Sequence, residues 1–244
     1  MAFEIYKNAP ITEAVLDIRT RLNEPSLERL SNIRDKDYPN LFRTPNLMEF
    51  KFSVGEGEPT FDTSSEQLGF SYRSADEKNI FQVRKDGFSH NRLAPYTEWN
   101  SFSAEARRLW LVYKAEADPI DIEMIGLNYI NEIYIPFGVS FEDYFKTYVE
   151  VPPELPQVLI GFSFTYLVLL PDNAGVLQIA QGYGPLKKPE HTTVILNIQT
   201  SKQLNRKGAD VGEDELWEMF ENLRFAKSQA FEACITDKVR AMIR

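Results

Sequence analysis

Two long helical stretches, each closing a run of alternating strands, constrain this chain more than any other feature. In the first, Trp99, Phe102, Ala106, Leu109, Trp110, Tyr113 and Ala117 recur at three- and four-residue spacing, which makes one apolar helical face. Pro95-Tyr96-Thr97 opens it, with Thr97 expected as the N-cap. Asp118-Pro119 ends it, because the residue before a proline avoids the helical region. The second starts near Glu213 and turns Leu216, Phe220, Leu223, Phe231 and Ile235 inward.

The segments before each helix alternate with period two. Residues 11–22 place Ala14, Leu16 and Ile18 on one face and Glu13, Asp17 and Arg19 on the other. Ser26 is placed to cap a short helix carrying Leu27, Leu30 and Ile33. Met48 to Val54, then Leu68, Phe70 and Tyr72, then Phe81 and Val83 read as further strands. Asp86-Gly87 marks a hairpin whose return strand runs to about Leu93. Residues 121–135 begin the pattern again, with Ile125, Leu127, Tyr129, Ile133 and Ile135 on one face. Ser140 precedes a short helix, the connection VPPELP follows, and strands are expected near 158–170, 175–183 and 192–202. A polar loop from Asn205 to Gly212 leads into the last long helix.

Both halves therefore read strand, short helix, antiparallel strands, long helix. An α+β fold is expected, pseudo-duplicated over residues 11–118 and 121–243, with 1–118 and 119–244 forming one continuous globular unit. The competing explanation is chance, since residue identity between the halves is poor. The element order resembles the TATA-binding-protein-like and helix-grip folds. Two copies of that plan make one curved antiparallel sheet with long helices on one face. Such a likeness carries no function with it.

Composition narrows the partners. Hydrophobic residues make up 43% of 244, enough for a real core, and the net charge is −9. The charge is −3 over residues 1–120 and −6 over 121–244, so neither half is basic. Extended nucleic-acid binding and anionic membranes draw on clustered Lys and Arg, and both are disfavoured. Cys234 is the only cysteine, which excludes an intrachain disulfide and fits a cytoplasmic setting. The opening MAFEIYKNAP lacks the long apolar stretch of a signal peptide. Val158 to Leu170, the longest uncharged apolar run, is too short to span a bilayer and reads as a buried strand.

No phosphate loop, dinucleotide fingerprint, nucleophile elbow or Cys-x-x-Cys occurs, and no cofactor is expected. His90 and His191, the only histidines, read as surface residues. Asp17 with Glu49-Phe50-Lys51 spells the D…ExK spacing of metal-dependent nucleases. There, two carboxylates hold a divalent ion and the lysine supports the attacking hydroxide; the bland alternative is an exposed strand face. Asn131 falls on the apolar face of the 121–135 strand, where a buried amide must find partners and either reads a ligand or pins a backbone. Arg107 and Arg108 beside Trp110 form the best candidate for a protein-partner surface, against the alternative of a solvated helix face.

Several short motifs resemble a conserved-hypothetical family scattered through bacteria and archaea, with no settled activity. They are Asn8-Ala9-Pro10-Ile11-Thr12-Glu13-Ala14-Val15 followed by Ile18-Arg19; Pro95-Tyr96-x-x-Trp99; Tyr129-Ile130-Asn131 before Ile135-Pro136; Asp143-Tyr144-Phe145; and Phe231 with Ile235-Thr236-Asp237. The chain departs from that family at Asn128 and Glu132, where arginines are usual, and at Asn197 and Gln199, where acidic residues are usual. Asn8, Glu13 and Arg19 of the first motif are candidates for a binding edge or partner contact; the alternative is structural, with Pro10 setting an extended entry into the first strand and Asn8 making a local turn bond. The sporadic distribution implies a mobile defence or toxin–antitoxin setting. Three functions are consistent with these features. The first is a non-enzymatic protein that binds a macromolecular partner. The second is a nuclease using Asp17, Glu49 and Lys51. The third is a small-molecule binder whose sheet–helix groove presents Asn131.

Overall fold

The computed structural model describes residues 6–42, 67–204 and 211–244. It is an α+β fold built on one antiparallel sheet, with nine strands among the described residues. Two long strands lie at its centre, β1 (Ile11–Leu22) and β6 (Pro119–Pro136), with Leu16 opposite Leu127 and Ile18 opposite Ile125. Outward from β1 come β5 (Gly87–Leu93), β4 (Asn79–Arg84), β3 (Gly69–Arg73) and the short β2 (Asn40–Phe42). Outward from β6 come β9 (His191–Gln203), β8 (Val176–Tyr183) and β7 (Ser163–Leu169). The two halves thus repeat one plan about the β1–β6 seam.

Helix α1 (Leu27–Ser31) is capped by Ser26, whose hydroxyl accepts from the Arg29 N–H. The long helices are α2 (Trp99–Ala117) and α3 (Glu213–Cys234), followed by α4 (Asp237–Ile243). Register places the core residues of both central strands on one sheet face, and both long helices pack there. The strand expected over Met48–Val54 lies outside the described residues.

Trp110 and Tyr113 have no exposed surface and stack at 5.7 Å beside Phe88. This corrects the expectation that Trp110 lies at a partner surface: its ring is core, of the kind whose truncation to alanine costs about 3–5 kcal/mol. Arg107 and Arg108 remain on the helix surface. Arg107 pairs with Asp214 at 2.9 Å, and Arg108 pairs with Asp35 and Glu105.

Three more details differ from the sequence reading. The β4–β5 turn is centred one residue early, since Arg84 pairs with Gly87 and leaves Lys85-Asp86 as the loop. Gly87 is needed for another reason: its φ is +145°, and a Cβ there lies 2.2 Å from the Ile18 carbonyl oxygen. The N-cap of α2 is Glu98, which makes no side-chain bond to the first turn, rather than Thr97. The run Val158–Leu170 is not a buried strand. Only Ser163–Leu169 is strand, it lies at the sheet edge, and Leu169 is 82% exposed. The prolines of the preceding VPPELP stretch suit an irregular connection rather than a covering strand.

Candidate functional site

A cleft of about 380 Å³ opens beside the middle of β6. Four segments meet there: residues 6–11 leading into β1, the first turn of α2 with Tyr96 before it, Tyr129 and Asn131 of β6, and the stretch of α3 from Arg224 to Glu232. They carry the Asn-Ala-Pro-Ile, Pro-Tyr-x-x-Trp and Tyr-Ile-Asn motifs and Phe231, which lie far apart in sequence. A register shift at the start of β1 admits the first segment. Ile11 pairs with Asn131 while Glu13 pairs with Ile130, and the Glu132 N–H donates to the Pro10 carbonyl at 2.9 Å.

The floor is aromatic. Tyr129 is 1% exposed, Tyr96 meets it edge-on at 5.5 Å, and their hydroxyls lie 3.1 Å apart. Burial pushes the Tyr96 phenol up to about 12 and that of Tyr129 well above its usual value, so both stay protonated at neutral pH. Asn131 donates to the Leu196 carbonyl at 3.0 Å and to the Tyr129 carbonyl at 3.3 Å. It therefore pins the β6–β9 ladder and lines the cleft at once.

Two basic side chains, Arg224 and Lys227, and two acidic ones, Glu98 and Glu232, line the cleft. Arg224 pairs with Glu221 at 2.9 Å and lies over the Trp99 ring. Glu232 pairs with Arg240 at 2.8 Å and accepts from the Tyr6 hydroxyl at 2.7 Å. Lys227 has no carboxylate partner among the described residues; its ammonium sits 3.9 Å from the centre of the Tyr129 ring. Burial first, and the charge of Arg224 second, pull its pKa down to about 8. The α2 N-terminus faces the same space. Its N-cap residue Glu98 makes no side-chain bond to the first turn, and the Glu98 carboxylate lines the cleft as well.

A second cavity, of about 310 Å³, adjoins the cleft through Tyr96, Thr97 and Glu98. His90 lines it. Contrary to the surface position expected for it, His90 is 1% exposed and stacked on Phe102 at 5.0 Å, and its Nδ1 has no hydrogen-bond partner among the described residues. Burial lowers its pKa to about 4, against the smaller opposing effect of Glu105. Between pH 6.5 and 4 the unfolded chain therefore binds a proton that the folded chain refuses. Stability is complete above about pH 6.5 and falls by about 3 kcal/mol as pH drops towards 4. Urea midpoints measured from pH 7.5 to 4.5 are expected to fall for the wild type and to flatten markedly in His90→Phe.

The other candidate residues do not join the cleft. The Asn8 side chain donates to the Arg244 carbonyl at 2.9 Å and fastens the chain start to the end of α4. Glu13 accepts from Asn91 at 2.7 Å. Arg19 and Arg84 grip the two oxygens of Asp17 at 2.9 and 2.6 Å, and both also reach Asp86. Glu49 and Lys51 lie outside the described residues, so only Asp17 of the D…ExK spacing is placed, and its carboxylate is held by two guanidiniums. No cluster of three or more metal-ligating side chains occurs among the described residues. Asn128 and Asn197, two of the departures from the resembled family, sit on adjacent strands, and each has a buried Oδ1 without a hydrogen bond among the described residues.

Lys227 was missed, although its signal is in the sequence. It continues the inward stripe Phe220, Leu223, Phe231 at helical spacing, where a lysine is out of place. No family model matches the chain, and no curated protein matches it either.

Proposed function

We propose that the chain is a non-enzymatic binding protein whose cleft takes a small ligand with an anionic group and a flat apolar body. The observation that carries this reading is Lys227, a half-buried ammonium set on an aromatic floor with no carboxylate in ion-pair contact among the described residues. The cleft has the size of a small-molecule site, and its lining mixes aromatic rings with polar and charged groups. A macromolecular partner, and a mobile defence or toxin–antitoxin setting, are supported by the motif resemblance alone.

Two anionic probes, 5′-AMP and 4-hydroxybenzoate, test the reading against neutral adenosine by calorimetric titration at pH 7. At least one anion is expected to bind with a Kd below about 1 mM, or roughly −4 kcal/mol. Adenosine is expected to bind at least tenfold more weakly than 5′-AMP. Equal binding of adenosine and 5′-AMP, or no binding by either anion, rejects it. Only the ammonium form attracts the anion. Affinity should therefore hold below pH 8 and fall towards tenfold per unit above it.

A further inference from the structure

The two halves of the sheet are finished differently at their outer edges. By position, β3 corresponds to β7, each being the third strand out from its central strand. The outer edge of β3 is paired by β2, with Leu41 opposite Tyr72. Among the described residues, nothing pairs with the outer edge of β7.

Exposed edges of natural sheets are blunted by charges, proline, bulges or short length. β7 has none of these. It runs seven residues in unbroken register with β8, and no charged residue or proline occurs from Val158 to Leu170. Its apolar side chains are left in solvent, with Leu167 66% and Leu169 82% exposed, and Ile160 just before it is 92% exposed.

We propose that a second copy of this chain covers the edge, β7 pairing antiparallel with β7 about a two-fold axis and joining the two sheets into one. The absence of charge favours this occupant. A two-fold axis brings each edge against itself, so any net charge along it is opposed by the same charge, and β7 carries none. With the axis at Tyr166, Leu167 meets Thr165 and Val168 meets Phe164 of the other copy. Every cross-strand pair is then apolar or neutral. The surface is independent of the ligand cleft.

Light scattering on the full chain at 20 and 100 µM is expected to give twice the 28.2 kDa chain mass. Leu167→Lys, and separately Leu169→Lys, are expected to give monomers with unchanged circular dichroism, since both side chains face solvent. Hydrogen exchange at the β7 amides should be slow in the wild type and at least tenfold faster in these variants. A wild-type monomer at 100 µM overturns the proposal, whatever other protein the edge binds. So does a dimer that survives both lysines with β7 exchange unchanged.

Discussion

Replacing Lys227 with methionine is expected to weaken binding of 5′-AMP or 4-hydroxybenzoate at pH 7 by about 100-fold or more, the loss usual for a partly desolvated charge partner. The same change is expected to raise the melting temperature of the free protein. Methionine keeps most of the side-chain length, so packing against Tyr129 survives. What disappears is an ammonium that folding moves away from water, close to Arg224, with no carboxylate in ion-pair contact among the described residues. A residue that weakens the fold yet is needed for binding is a mark of function rather than of structure. The loss should be confined to the anionic probes. Calorimetric titration of wild type and variant, beside a thermal melt of each without ligand, measures both effects. Reduced binding together with a lowered melting temperature would point to a structural lysine instead.

Arg84→Met should produce the largest loss of stability on the side of the sheet away from the helices, about 3–5 kcal/mol. The Arg84 side chain is 5% exposed and bridges Asp17 at 2.6 Å and Asp86 at 3.0 Å. Burial works against its charge, but the two carboxylates outweigh it, and its pKa is raised. Removing the guanidinium leaves Asp17, 17% exposed, with Arg19 alone. In a chain of this length the loss corresponds to a fall of roughly 10 °C in Tm. Adding Asp17→Asn to Arg84→Met should recover part of it, because the uncompensated carboxylate goes too. Urea unfolding of the single and double variants checks this. If Asp17→Asn alone is as harmful as Arg84→Met and the double variant recovers nothing, the two groups are not coupled as the geometry indicates.

What the sequence revealed follows from which signals are local. The alternation in β1 and β6 and the stripe in α2 specify both faces of each element, so the central seam and the helix layer could be read directly. The order of elements did suggest two repeated halves, and the strand order around β1 and β6 has that form. Properties set by distant neighbours were not legible. An apolar run such as Val158–Leu170 has the same composition whether it lies at the centre of a sheet or at its edge; only the absence of a neighbouring strand decides. Trp110 beside two arginines looks like an interface until the opposite sheet face is known to cover it. His90 is buried by Phe102, twelve residues on, and nothing in its own segment says so. The cleft was half legible. Asn131 stood out as a polar residue on an apolar face, and Lys227 presents the same kind of signal on α3 but went unread.

The most direct test of the cleft as an anion site is the titration of Lys227 itself, followed through its side-chain carbon and nitrogen resonances with and without saturating 5′-AMP. The free protein is expected to show Lys227 titrating near pH 8. Bound nucleotide should move that midpoint to 10 or above, roughly 2 units, because the phosphate stabilises the ammonium; adenosine should leave it in place. A Lys227 that titrates at the ordinary lysine value in the free protein and does not respond to 5′-AMP contradicts the account.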